Sequence, residues 1–129
     1  MRWGWLEIIG LVWLSAASRW AWAADVVTIA GNGGYSYDGD GGQATSASMR
    51  WPTGLAIDSI GNVYVSADSV IRKITVLTGI ITTHVGMGTS SSFSGDGGVA
   101  TSATLSPPYG IYIDNSGNNL SMEYRLIIL

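Results

Sequence analysis

The segment Gly39-Asp-Gly-Gly-Gln-Ala-Thr-Ser-Ala47 returns 56 residues later as Gly95-Asp-Gly-Gly-Val-Ala-Thr-Ser-Ala103. When residues 35–65 are aligned without a gap on residues 91–121, 15 of the 31 positions are identical. The chain therefore contains an internal repeat. A period of this size indicates an array of similar supersecondary units, because one such unit cannot bury its apolar face without neighbours. The repeat predicts the architecture of a binding module without specifying its ligand.

Short runs rich in Val, Ile, Thr and Tyr alternate with clusters of Gly, Asn, Asp and Ser between the two copies. This pattern predicts strands joined by tight turns. The four predicted strands are Leu55–Asp58, Asn62–Ser66, Val70–Val76 and Gly79–Val85. After residue 25, helical spacing of apolar residues is limited to one turn within residues 44–49. Four short antiparallel strands per repeat form the blade of a β-propeller, so the predicted fold class is all-β.

Several spaced motifs occur in an order that resembles the NHL repeat, in the variety with a long glycine-rich insertion. The motifs are Pro52-Thr-Gly-Leu-Ala-Ile-Asp58, Gly61-Asn-Val-Tyr-Val65, Val70-Ile-Arg-Lys-Ile74, Thr78-Gly-Ile-Ile-Thr-Thr83 and Phe93-Ser-Gly-Asp-Gly-Gly-Val-Ala-Thr-Ser-Ala103. The resemblance covers residues 26–118, with copies at about 28–83 and 83–118. It implies a closed propeller, typically of six blades, that serves as a binding platform for proteins, nucleic acid or carbohydrate. A minority of such proteins resemble lyases that hold zinc with histidines.

The sequence departs from the family pattern in residues 119–129, where a second strand is expected. We interpret this C-terminal tail as aberrant, through truncation or a change of reading frame. The chain then encodes one complete blade, the last strand of the blade before it and the first strand of the blade after it. Because so few strands cannot close a ring, the edges would expose unpaired N–H and C=O groups. We therefore expect self-association through blade edges or a fragment of a longer propeller, and we favour the fragment.

The N-terminal segment predicts export. Residues 1–23 combine a basic residue near the start, an apolar run from Ile8 to Ala17 and the small-residue pattern Ala21-Trp-Ala23, as in a signal peptide with an A-x-A cleavage site. A retained membrane anchor is the alternative. The uninterrupted apolar run between its flanking charges is 11 residues, however, whereas a spanning helix needs roughly 20. We expect a secreted chain with no membrane span after cleavage.

The charge of the chain bears on its class of partner, and its cysteine content bears on how the fold is stabilised. Removal of residues 1–23 leaves a net charge of −4, which argues against electrostatic attraction to nucleic acid. The chain has no cysteine, although small secreted domains commonly depend on disulfides. A propeller can do without them because its blades cover one another.

Residues that could carry chemistry are sparse. His84 is the only histidine, and the carboxylates are scattered along the sequence. The sequence therefore predicts neither a nucleophile–base pair nor a three-ligand metal site. We predict no cofactor and no enzymatic activity within this chain, and we interpret His84 as a strand residue at the blade edge.

The acidic loop Asp38-Gly-Asp-Gly-Gly42 suggests a calcium site at first sight. A hand-type calcium loop requires a carboxylate at its twelfth position, which is Met49 here, and the second copy has Ser94 in place of Asp38. We therefore predict a tight turn in which glycines take positive φ and the retained Asp40, or Asp96, accepts backbone hydrogen bonds.

Asp58 and Asp114 are the candidate binding residues. Each closes the first strand of its copy and is followed by Gly-Asn, which predicts side chain to backbone hydrogen bonds in the turn. In a closed ring the same end of the strand borders a binding face. Arg72 and Lys73 form the only adjacent basic pair after the leader and are expected on a solvated strand, one on each face. Asn119-Leu-Ser121 is a glycosylation sequon.

Together these features predict a secreted, partial NHL-type propeller that presents loop surfaces to a protein or carbohydrate ligand. One alternative is part of a propeller enzyme, a lyase or hydrolase, whose catalytic residues lie outside this chain. Another is a non-functional product of a truncated gene.

Overall fold

The computed structural model describes residues 26–88, 93–114, 119–122 and 126–128, the last two segments as backbone. The predicted leader at 1–23 and the turn at 115–118 lie outside these ranges. The strands are β1 Pro52–Ile57, β2 Val63–Ala67, β3 Val70–Ile74, β4 Ile81–Val85, β5 Gly110–Ile113, β6 Asn119–Met122 and β7 Leu126–Ile128. Single 3-10 turns occupy Ala44–Ser46 and Ala100–Ser102. The predicted all-β class is confirmed.

The first blade is a four-stranded antiparallel sheet in the order β1-β2-β3-β4. Its strands fall where the Val, Ile and Tyr runs predict them, because β-branched and aromatic residues pack well on a pleated surface. A two-residue turn joins β2 to β3, and Asp68 in that turn has a φ of 53°. Aspartate tolerates this left-handed conformation better than most residues, which explains how so short a connection closes here.

Two hydrophobic clusters cover the two faces of the first blade. On one face, Ala44 and Ala47 of the first glycine-rich segment pack on Val65, Ile74 and Ile81. On the other face, Tyr64, Ile71 and Val85 pack with Leu105, and Ile111 and Ile113 of β5 lie against them. Each fully buried aliphatic side chain contributes roughly 1.5–3 kcal/mol. The first face is therefore covered by a loop and the second by the next blade.

The two blades approach most closely at Gly54. A Cβ at this position would lie 2.9 Å from Cα of Gly110 and 3.1 Å from the Ile111 nitrogen, which is too close for any side chain. Beside it, the Thr53 hydroxyl donates to the Pro108 carbonyl. The glycine that recurs in each copy thus lets β1 and β5 pack backbone against backbone.

The second blade contains three strands within the described residues, in the order β5-β6-β7. The expectation that the chain supplies only the first strand of this blade is wrong. The tail residues at 119–122 and 126–128 pair as β6 and β7, because they retain a strand-forming composition although they have lost the family motif.

The segment before the first glycine-rich loop also differs from the prediction. The chain was expected to supply the last strand of a preceding blade, and residues 26–30 occupy that place before the loop. They form no regular secondary structure, and the side chains of Val26, Val27 and Ile29 are exposed. A strand requires a neighbour for its backbone hydrogen bonds, and the described residues place none beside this segment.

Candidate functional site

Arg72 of β3 organises the first glycine-rich loop. Its side chain is fully buried, and its terminal nitrogens donate to the carbonyls of Ser48 and Asp38, both at 2.8 Å. One of them also donates to Oδ1 of Asp40 at 2.6 Å, and the guanidinium lies 5.1 Å from the ring centroid of Tyr37. Its Nε is buried and has no hydrogen-bond partner among the described residues. The expected solvated position of Arg72 is therefore wrong.

Arg72 is buried because of contacts that lie outside β3. Alternation does place Arg72 and Lys73 on opposite faces, and Lys73 is partly exposed, with its Nζ 5.6 Å from the Tyr64 ring centroid. The face that carries Arg72 is covered by a loop more than 20 residues away in sequence, and two of that loop's carbonyls and one carboxylate accept from the guanidinium. Hydrogen bonding of this kind is the usual condition for burying a charge.

The same loop also covers the outer edge of the first blade. Gly41 N donates to the Ile81 carbonyl at 2.8 Å, and Ile81 N donates to the Gly42 carbonyl at 3.0 Å. Thr83 N donates to Oδ2 of Asp40 at 2.8 Å, and the Thr83 hydroxyl donates to the same oxygen. An uncovered β4 would be a template for pairing with another chain. The loop therefore acts as a fifth, irregular strand.

The acidic residues of this loop accept from protein donors. Asp38 accepts from Ser48 N and the Ser36 hydroxyl, both at 2.9 Å, and the Ser48 backbone bond is the largest cause of its lowered pKa. Partial burial raises the pKa of Asp40, but hydrogen bonds from Thr83 and Arg72 outweigh this and hold it below the ordinary value of 3.8. Gly39 and Gly41 have φ of 82° and 81°, as the turn interpretation requires. Across the described residues, no group of three His, Cys, Asp or Glu is arranged to hold a metal ion.

Asp58 is built into the turn between β1 and β2. Its Oδ1 accepts from Asn62 N at 2.8 Å and from Ile60 N at 3.1 Å, and its Oδ2 accepts from Asn62 Nδ2 at 2.8 Å. Partial burial raises its pKa, but the bonds from Asn62 and its neighbours outweigh this and lower it below 3.8. Asp114 follows β5, and the turn after it is outside the described residues. A ligand-binding role for either aspartate stays a prediction.

Two exposed aromatic side chains and a partly buried ion pair lie together at the other end of the first blade. Tyr35 and Trp51 are 62% and 59% exposed, and their rings meet edge to face with centroids 5.5 Å apart. The Arg50 guanidinium lies 5.1 Å from the Trp51 ring centroid and forms an ion pair with Asp68, to which Arg50 Nε donates at 3.0 Å. We call these four residues the Trp51 patch. Since β1 rises roughly 3.3 Å per residue, the patch is roughly 20 Å from Asp58.

Backbone strain coincides with the Trp51 patch. Trp51 and Asp68 are the two non-glycine residues with positive φ in the described part of the chain, at 46° and 53°. Asp68 N donates to the Trp51 carbonyl at 3.4 Å, at the long end of hydrogen-bond range. A bulky residue in this region costs roughly 1–2 kcal/mol relative to a right-handed conformation. Strained residues of this kind cluster at functional sites.

A family model described as the Teneurin NHL domain matches residues 21–94, more than half of the chain. The chain belongs to the Teneurin NHL domain family. Teneurin-1 of Gallus gallus is 32% identical over 117 residues, which is 83% of this chain. The chain spans about 4% of the length of that curated relative. The resemblance to NHL repeats is thus confirmed.

The Teneurin NHL match begins before the first glycine-rich loop and ends at residue 94, just before the second loop. It therefore includes the whole first blade, the Arg72 contacts and the Trp51 patch. No helix among the described residues is long and apolar enough to cross a membrane.

Sequence reasoning missed the Trp51 patch, although two signals pointed to it. Trp51 is the only tryptophan after residue 25. In the second copy its position is held by Pro107, and the position of Tyr35 by Ser91. A residue that breaks a repeat is not required by the repeated fold, so an exposed aromatic at such a position is a candidate for binding.

His84 lies in β4, as the sequence predicted. Its ring meets that of Tyr64 nearly edge to face, with centroids 5.1 Å apart. Burial lowers the pKa of His84 below its ordinary 6.5, and the charge of Lys73 lowers it further. The lowered pKa favours the neutral imidazole at the face of the first blade that packs on the second.

Proposed function

We propose that this chain is part of an exported propeller module that binds a protein partner through the Trp51 patch. The observation that carries the proposal is the exposure of Trp51 on a strained backbone beside Tyr35 and Arg50. Tryptophan, tyrosine and arginine are the residues enriched among those that dominate binding energy at protein interfaces. Membership of the Teneurin NHL domain family supports a binding role rather than catalysis.

The geometry of the patch favours a protein over a carbohydrate. Carbohydrate recognition by tryptophan uses an open ring face on which a sugar ring can stack. Arg50 lies over the Trp51 ring and Tyr35 meets it edge to face, so the indole is already framed by two side chains. The Arg50 side chain of the ion pair is 40% exposed, so it adds a charge beside the rings, and such a charge sets partner choice more than affinity.

Export is part of the same proposal and is supported by the leader-like residues 1–23. We expect protein recovered from its native cells to begin at Ala24 or Asp25, as N-terminal sequencing would show. Detection of residues 1–23 on the recovered protein would instead indicate a retained anchor or a chain that is not exported.

Binding can be tested with the full chain on two arrays, one of purified extracellular proteins and one of glycans. We expect a protein ligand whose binding falls at least tenfold in Trp51→Ala. The matched control is Leu77→Ala, since Leu77 is 92% exposed and lies in the β3–β4 turn at the other end of the blade. A ligand that binds Trp51→Ala as well as the parent chain would refute the patch. A glycan that alone depends on Trp51 would replace the protein partner with a carbohydrate.

A further inference from the structure

Residues 26–30 align with β4, with Thr28 as the one identical position among the five, but they do not form a strand. At an offset of 55 residues, Thr28 corresponds to Thr83 and Gly31 to Gly86. The two glycines also have the same backbone contact, because Gly31 N donates to the Ala44 carbonyl and Gly86 N to the Ala100 carbonyl, at 2.9 and 3.0 Å. The segment is thus placed as β4 is placed relative to the loop that follows it. Its apolar side chains are nevertheless in solvent, with Val26 97% exposed.

The second glycine-rich loop has the shape of the first, but no strand in the described residues is hydrogen-bonded to its Asp96, Gly97 and Gly98. Gly95 and Gly97 have φ of 101° and 73°, and Gly98 N donates to the Gly95 carbonyl at 3.0 Å, as Gly42 does to Gly39 in the first loop. In the first blade the matching loop bonds β4 through Gly41, Gly42 and Asp40. The equivalent groups of the second copy are Asp96, Gly97 and Gly98, and the last strand of the second blade within the described residues is β7.

The faces of the two blades show the same complementarity. Ile111 and Ile113 of β5 pack against the cluster on the first blade that contains Tyr64. Their counterparts in the first copy, Leu55 and Ile57, are 58% and 59% exposed. The same positions are therefore covered where another blade precedes them and exposed where the described residues place none before them. The open face of β1 is shaped to receive the face of a blade like the first.

We propose that residues 26–30 of one copy of this chain add to the second blade of another copy as its fourth strand, antiparallel to β7. Thr28 then donates to Asp96 as Thr83 donates to Asp40, and Leu55 and Ile57 of the incoming copy cover the open face of the second blade. The contact repeats the step between the two blades of one chain. Main-chain bonds from an added strand supply affinity in such contacts. The inference does not depend on the ligand of the Trp51 patch.

The contact is heterologous, because the surface that donates the strand differs from the surface that accepts it. Each copy in an assembly can therefore accept one neighbour and donate to another. Such contacts produce a ring when the rotation closes and a filament when it does not. Association is expected to increase with protein concentration.

The absence of cysteine from the chain permits a direct test by disulfide trapping. In the first blade Arg72 lies between its two partners, Val65 of β2 and Thr83 of β4. In the second blade Ser121 takes the place of Val65, and its partner Ile127 therefore takes the place of Arg72. Thr28 of one copy is thus expected opposite Ile127 of another. Directly opposed residues of an antiparallel pair have Cα atoms roughly 4.5–5.5 Å apart, which is within the range a disulfide spans.

The experiment mixes full chains that each carry one substitution, Thr28→Cys and Ile127→Cys, and identifies the mixed disulfide by mass spectrometry. We expect at least tenfold more of it than from a control mixture of Leu77→Cys and Ile127→Cys. Equal yields in the two mixtures would overturn the proposal. The two cysteines are on different chains, so residues 26–30 that pair with β7 of their own chain give no mixed disulfide. That result would also overturn the proposal.

Sedimentation over a hundredfold range of concentration gives an independent measurement. Thr28→Pro removes the N–H that would donate to Asp96, and Leu55→Asp places a charge on the face to be covered. We expect each to raise the midpoint concentration of association at least tenfold, whereas Leu77→Asp leaves it unchanged. Circular dichroism at low concentration verifies that the monomer remains folded. Absence of association in the parent chain, or equal midpoints for all four proteins, would refute strand donation.

Discussion

Replacement of Asp40 by asparagine tests whether the contacts of Arg72 hold the first loop in place. Asp40 accepts a charge-assisted hydrogen bond from Arg72 at 2.6 Å and two hydrogen bonds from Thr83. Asparagine can still accept from Arg72, but its amide group presents N–H where Thr83 also donates. Hydrogen bonds to charged groups contribute about 1.5–3 kcal/mol and neutral ones about 0.5–1.5 kcal/mol. We expect Asp40→Asn to lower the free energy of unfolding by about 2 kcal/mol.

This magnitude lies below the 3–5 kcal/mol that is typical when a buried ion pair is broken. The reason is that the Asp40 side chain is 41% exposed although that of Arg72 is fully buried, so water can replace part of what is lost. For a domain of this size, about 2 kcal/mol corresponds to a decrease of about 10 °C in the melting temperature. Urea denaturation at a protein concentration well below the midpoint of association measures the effect in the monomer, for this variant and for its control alike.

The chain contains its own matched control in the second loop. Asp96 occupies the place of Asp40, but Ile127 stands where the first blade has Arg72. We expect Asp96→Asn to change the free energy of unfolding by less than about 0.5 kcal/mol, as is usual for surface substitutions. Equal losses for the two variants would refute the view that Arg72 anchors the first loop.

The contribution of Asp40 to the free energy of unfolding depends on pH. The pKa of Asp40 is lower in the folded chain than its ordinary 3.8, so the folded state favours the carboxylate. Its contribution is fully present above the unfolded pKa and is lost as the pH falls through the folded pKa. The difference between the parent chain and Asp40→Asn should therefore shrink below pH 3.8.

Three further outcomes are expected from thermal melts. Gly54→Ala should destabilise the chain by at least about 2 kcal/mol, because its Cβ would overlap Gly110 in a packed interface; an unchanged melt would mean that the blades do not pack here. Trp51→Gly should preserve or raise stability by up to about 1 kcal/mol, since glycine relieves the positive φ, and a large loss would show that Trp51 is structural. The pKa of His84 is lowered in the folded chain, so its contribution to stability is lost as the pH falls from 7 through that pKa. The melting temperature of His84→Gln should therefore depend less on pH between 7.5 and 5.5 than that of the parent chain. Equal dependence on pH in the two proteins would contradict this.

The strands and turns of the first blade could be predicted because their causes are local. The turn after β1 follows from Asp58, which bonds the backbone two and four residues further on. The single turn at Ala44–Ser46 falls where the sequence places it. Predicted ends differ from observed ends by up to three residues, at β1 for example, since pairing with β2 extends the strand back to Pro52.

The burial of Arg72 could not be predicted from β3. Its acceptors are Ser48, Asp38 and Asp40, which are 24 to 34 residues away in sequence, and alternation states only which face a residue occupies. The exposure of Trp51 is the opposite case. Tryptophan is usually buried to a large extent, and only the position of the blade end shows that its ring remains in solvent.

By itself, the amino-acid sequence determined the repeat, the all-β class, the positions of the strands in the first blade and the family, because these depend on composition and spacing along the chain. The tertiary structure alone decided which faces are covered. It showed that the first loop closes the edge of β4 over Arg72 and that the tail pairs as β6 and β7. It also showed that no strand of the described part of the chain lies beside residues 26–30. The physical reason is that burial and strand pairing require groups distant in sequence to meet, and no local pattern records where they meet.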